Sequence, residues 1–147
     1  MKDWSQLDTF PRTLKLVYAF GAEWSMGGPG AVRFSCMGDG SAYVTVSRGG
    51  ASRQWTGQVG RETLLALGAE LKNVGFPTPP PIPETVLPDT TWRVLTIGSP
   101  ASQSTAQLTW SDGLPGKPWG MAFRRLDSLV DAVSEGAVPT HEPLRVR

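Results

Sequence analysis

Apolar and polar positions alternate with a period of two from Leu14 to Phe20. Leu14, Leu16, Tyr18 and Phe20 share one face, against Lys15, Val17 and Ala19 on the other. Successive side chains of a strand point to opposite sides, so this run predicts a β-strand with one strongly apolar face. The same period returns at Val32, Phe34 and Cys36, opposed by Arg33, Ser35 and Met37. It returns again at Ala42, Val44 and Val46, opposed by Tyr43, Thr45 and Ser47. Between these two runs lies Gly38-Asp39-Gly40, and Asp-Gly supplies the positive φ that a tight hairpin turn needs. Gly49-Gly50 breaks the third run, and Arg53 to Val59 predicts a further strand with Trp55, Gly57 and Val59 on one face. Strands joined by short turns in this way form an antiparallel meander.

From Arg61 the period changes. Leu64, Leu67, Leu71 and Val74 fall at helical spacing, Leu65 widens the stripe, and Gly75 is placed to end the helix in the left-handed conformation. Phe76 is then expected to pack back on the helix end. Residues 77–88 contain six prolines in twelve positions, which forces polyproline II geometry on much of the segment. The stretch 77–90 reads as a stiff crossover within one domain. Trp92 to Ile97 and Thr105 to Ser111 predict a second hairpin, with Ala106, Leu108 and Trp110 on one face and a polar, mobile link at 98–104. A second helix follows, with Phe123, Leu126, Leu129, Val130 and Val133 in one stripe and Gly136 closing it. The order βββ(β)αββα predicts an α+β domain: an antiparallel sheet with both helices on one face. Residues 1–12 read as an irregular N-terminal arm and 137–147 as a tail, with 1–147 forming a single domain.

Bulk properties narrow the function classes. The 147 residues include 17 Gly and 13 Pro, which fits a loop-rich globular chain, and enough Trp, Leu and Val to argue against disorder. A net charge of +1 lacks the basic footprint of a nucleic-acid binder. Cys36 is the single cysteine and cannot form an internal disulfide. Neither a signal-like apolar segment at Met1-Lys2-Asp3-Trp4 nor a bilayer-length apolar run is present, so the expected location is the cytoplasm, without membrane attachment.

Catalytic constellations are sparse. His141 is the one histidine and lies in the tail, Cys36 falls on an apolar strand face, and no serine has the surroundings of an activated nucleophile. Gly27-Gly28-Pro29-Gly30 follows no parallel strand and carries no lysine, so it reads as turn chemistry and not as a phosphate loop. Glu23, Asp39, Glu84 and Asp89 sit in or beside loops, but no spacing brings two together on one strand face. The chain is therefore expected to be no enzyme, to need no cofactor or metal, and to act by binding another protein. Trp24 with Met26, and Trp119 beside Met121, stand in Gly/Pro-rich loops, and such residues are enriched at protein interfaces. Trp24, Met26 and Trp119 are the candidate anchors. Glu84 and Asp89 join them from the proline-rich crossover. Trp55, Trp92 and Trp110 are expected in the core.

The arrangement of Gly27-Gly28, Asp39-Gly40, Gly75-Phe76 and Pro88-Asp89, spread over residues 14–135, resembles small bacterial inhibitor and immunity proteins of the emfourin-like type. Those pair a glycine-rich loop and a hairpin with a helix ending in Gly-Phe, a Pro-Asp before the next strand and a final helix. This chain departs from that pattern in a longer proline crossover and an added tail. The resemblance implies a non-catalytic protein that neutralises a cognate toxin or hydrolase by occlusion. A binding subunit of a larger assembly is the alternative.

Overall fold

The computed structural model describes residues 6–21, 30–81, 91–99 and 102–138. Each predicted strand forms. They are β1 (Lys15–Phe20), β2 (Ala31–Met37), β3 (Ser41–Arg48), β4 (Ala51–Gln58), β5 (Trp92–Ser99) and β6 (Ser102–Thr109). The sheet order is β4-β3-β2-β1-β5-β6, and every neighbouring pair is antiparallel. Four strands run as a meander to one edge at β4. The chain then returns through helix α1 (Arg61–Val74) to add the β5–β6 hairpin on the free side of β1, before helix α2 (Gly120–Val133).

Helix α1 stops where its sequence says it should. Gly75 takes φ 91°, a left-handed conformation open to glycine, and its N–H donates to the Lys72 carbonyl. The Phe76 N–H donates to the Leu71 carbonyl at 3.0 Å, completing a Schellman closure, and the Phe76 ring is buried.

The apolar faces predicted from alternation meet the two helices. One row across the sheet reads Trp55, Val44, Phe34, Tyr18, Leu95 and Ala106 from β4 to β6, and its neighbour carries Arg53, Val46, Val32, Phe20, Arg93 and Leu108. Leu64, Leu67 and Leu71 of α1 and Ala122, Phe123, Leu126 and Val130 of α2 close the core over these rows. Cys36 is buried in the same core, and burial pushes its thiol up to about 12.

Four local expectations change. Residues 6–10 are not an irregular arm: Leu7–Thr9 form a 3-10 turn, and Leu7 and Phe10 are fully buried. That turn lies directly on α1, where a side chain at Gly68 would run into the Leu7 carbonyl. Arg61 fixes it by donating to the carbonyls of Thr9, Phe10 (2.7 Å) and Gly38 (3.1 Å). The expected mobile link at 98–104 is mostly strand, with Gly98 opposite Gln103 and Ser99 opposite Ser102. Trp110 leaves the strand for a second 3-10 turn, Trp110–Gly113. Val138, expected in the tail, is buried in the core.

Candidate functional site: the uncovered face of the sheet

Alternate residues of the same strands make the second face, and no described helix packs on it. One row reads Thr56, Tyr43, Ser35, Val17, Thr96 and Thr105, and the next Gln54, Thr45, Arg33, Ala19, Val94 and Gln107. Hydroxyl and amide side chains dominate the flanks, where Thr96 and Thr105 join hydroxyls at 2.9 Å. The middle is apolar: Val17, Ala19 and Val94 floor a shallow depression of about 670 Å³ rimmed by Lys15, Arg33 and Met37. A second hollow of about 430 Å³ continues from Ala19, Arg33 and Val94 to Trp92.

The charge on this face has one sign. None of the six strands contains an aspartate or glutamate, and Lys15 and Arg33 are the cations in its rows. Trp92 and Tyr43 are half-buried, Met37 is 38% exposed and Arg33 is exposed. Trp, Tyr, Met and Arg are the types enriched at the centres of protein interfaces. At the centre of the face, Ser35 is only 2% exposed, and its hydroxyl has no hydrogen-bond partner among the described residues. A buried polar group left unpaired costs about 1–3 kcal/mol, which a packed core seldom tolerates.

The opposite face holds the strongest electrostatic cluster, and it is structural. Arg93 is 1% exposed. Its Nε donates to the Trp110 carbonyl at 2.9 Å, and Nη1 donates to the Tyr18 hydroxyl at 2.8 Å and to Asp127 at 3.1 Å. Tyr18 in turn donates to Asp127 at 2.7 Å. The guanidinium lies 3.6 Å above the Trp110 ring and 5.0 Å from that of Phe123. Burial pushes the Asp127 carboxyl up from its ordinary 3.8, with Arg93 and Tyr18 pulling against it. Burial also raises the Tyr18 phenol, and the Asp127 charge adds to that rise. These bonds hold α2 to β1 and β5, and the small outer cleft mixes Arg124 with Asp131.

The expected partner contacts divide. Trp24, Met26, Glu84 and Asp89 lie outside the described residues. Trp119 is 3% exposed and stacks on Phe123 with ring centroids 6.0 Å apart. It is a core residue at the start of α2, with its indole turned inward, and Met121 beside it is 56% exposed. Trp92, expected in the core, lies half-buried on the uncovered face. The signal was available: Trp92 shares strand parity with Val94 and Thr96, and Arg93 shares it with Leu95 and Ile97.

The fold and face together define an α+β protein whose antiparallel six-stranded sheet has both described helices on one side. Neither a family model nor a curated protein matches the sequence. Among the described residues, no cluster of His, Cys, Asp and Glu could hold a metal ion, and no helix is long and apolar enough to cross a membrane.

Proposed function

We propose that this chain works by binding another protein on the uncovered face of its sheet, with the partner presenting an acidic, partly apolar surface. The observation that carries this reading is the face itself. It combines an apolar floor at Val17, Ala19 and Val94 with Trp92, Tyr43, Met37 and Arg33, and has no carboxylate in any strand. Complementary charge steers association and rejects wrong partners, while the aromatic and apolar centre supplies affinity. The emfourin-like resemblance gives the form of the action: an immunity or inhibitor protein in the cytoplasm that occludes a cognate bacterial toxin or hydrolase and performs no chemistry of its own. A single strand of nucleic acid is the other polymer that lies on open sheets, but it calls for several stacking aromatics and a cationic track. Among the described residues the face carries two cations and two aromatics, which favours a protein.

The test is affinity capture of the full chain from nuclease-treated lysate of its own source, washed at high salt and read by mass spectrometry. The expected result is a stoichiometric protein partner whose toxic or hydrolytic activity falls to zero as this chain is titrated in. A partner whose activity is untouched at saturation moves the chain to the role of assembly subunit. Recovery of nucleic acid alone from untreated lysate overturns the protein-binding reading.

A further inference from the structure

The two sheet edges are not equally finished. On β6, the covered-face positions Ala106 and Leu108 are buried, so that strand is completed by the core beneath it. On β4, every residue but Trp55 is exposed, on both faces of the strand. Trp55 is only half-buried, and the Arg53 guanidinium lies over its ring at 4.6 Å. Edge strands present a row of unpaired N–H and C=O groups, and proteins that stay single blunt them with proline, inward charges, bulges or very short length. Of these β4 carries one inward-facing charge, Arg53, folded over the Trp55 ring, and none of the others. It is eight residues long, contains no proline, and pairs with β3 in unbroken register from Ser41 opposite Gln58 to Arg48 opposite Ala51.

We propose that β4 is the site of strand addition by a second copy of this chain, pairing antiparallel about a two-fold axis at Trp55. The occupant follows from what the strand carries. A two-fold pairing sets residues of equal parity opposite each other, so the faces stay matched. Centred on Trp55, it places the two indoles side by side on the covered face, where each hides apolar surface that the single chain leaves half open. Arg53 then falls opposite Gly57 of the other copy, which has no side chain to crowd it, and Gln54 falls opposite Thr56. No charge meets its like. Helix α2 already closes over Gly57, where an added side chain would touch Val133 at 3.4 Å, so the far end of the strand is anchored, while no described strand pairs with its outer edge. This inference rests on the edge and not on the uncovered face, so either can fail alone.

The experiment is sedimentation equilibrium of the full chain over a wide concentration range, with two paired variants. The wild type is expected to dimerise. The Gln54→Lys/Thr56→Lys variant is expected to sediment as a monomer, because like charges would then stand directly opposite across the axis. The Gln54→Glu/Thr56→Glu variant should do the same, and an equimolar mixture of the two should recover the dimer. Both positions are exposed, and an unchanged thermal unfolding midpoint at low concentration shows that the fold is intact. A wild type that stays monomeric at its highest soluble concentration overturns the proposal. So does a lysine variant that still dimerises, or a mixture that fails to reassociate.

Discussion

The two faces of this sheet are built from alternate residues of the same strands, yet they obey different rules. On the covered face, Leu16, Tyr18, Phe34, Val44, Leu95 and Ile97 are wholly removed from water. The buried charge there, on Arg93, is surrounded by a carboxylate, a hydroxyl, a carbonyl and two aromatic rings. On the uncovered face, Arg33 stands exposed with no carboxylate in any strand, and the Ser35 hydroxyl lacks a partner among the described residues. A charge and a polar group that are fully answered belong to the fold. An exposed cation beside an apolar floor is where a second molecule can contribute.

That contrast is broken most severely by removing the buried cation. Arg93→Ala takes away the ion pair, the bond to Tyr18 and the stacking on Trp110, and leaves Asp127 without its counter-charge. Removing one member of a buried pair costs about 3–5 kcal/mol, so chemical denaturation should show a loss of that size. Trp119→Ala comes next. Its indole stacks on Phe123 at the start of α2, and truncating a buried tryptophan costs about 3 kcal/mol or more. A Trp119→Ala protein with native stability and impaired partner capture would return that residue to the binding surface.

Alkaline unfolding gives a smaller, signed effect. In the unfolded chain the Cys36 thiol ionises near its ordinary 9.0, whereas the folded thiol holds its proton to about 12. Its contribution to stability is thus complete below pH 9 and is lost as pH climbs toward 12, because the unfolded state releases the proton first. Tyr18, raised from 10.0, has the same sign. Stability measured by denaturant titration should therefore fall through this window. In Cys36→Val the fall should be shallower, with the Tyr18 part remaining; an unchanged slope would mean the thiol is not held protonated by burial.

The smallest effect on the fold is expected from the uncovered face. Arg33→Glu with Met37→Glu alters two exposed positions on β2, so stability should stay within about 0.5 kcal/mol of the parent for each change. A large loss of stability here would erase the distinction between the faces.

Much of the fold was legible because its signals are local. The Leu64, Leu67, Leu71 stripe and Gly75 place α1 at Arg61–Val74 with no tertiary information, and Asp39-Gly40 places the β2–β3 hairpin. What escaped depends on distant partners. Leu7 and Phe10 are buried only because α1 offers the bare backbone of Gly68 and the Arg61 side chain, more than fifty positions along the chain. Arg93, Tyr18 and Asp127 meet across three elements, with no pattern in any one of them beyond strand parity. Loop composition put Trp119 at a surface, but a tryptophan entering an amphipathic helix buries itself in the helix's own core. The candidate site was half written in the alternation, since Tyr43, Arg33 and Met37 were already opposed to the core positions. Which of two faces goes uncovered is set by where the helices land, and that is not a local property.

The most direct test of the account measures the affinity of the captured partner for the wild-type chain and for the Arg33→Glu/Met37→Glu variant, by titration calorimetry at moderate salt. The account predicts that the variant melts like the parent and binds at least about tenfold more weakly, the equivalent of about 1.4 kcal/mol. Equal affinity for the two proteins would contradict it, and would place the binding surface elsewhere than on the uncovered sheet.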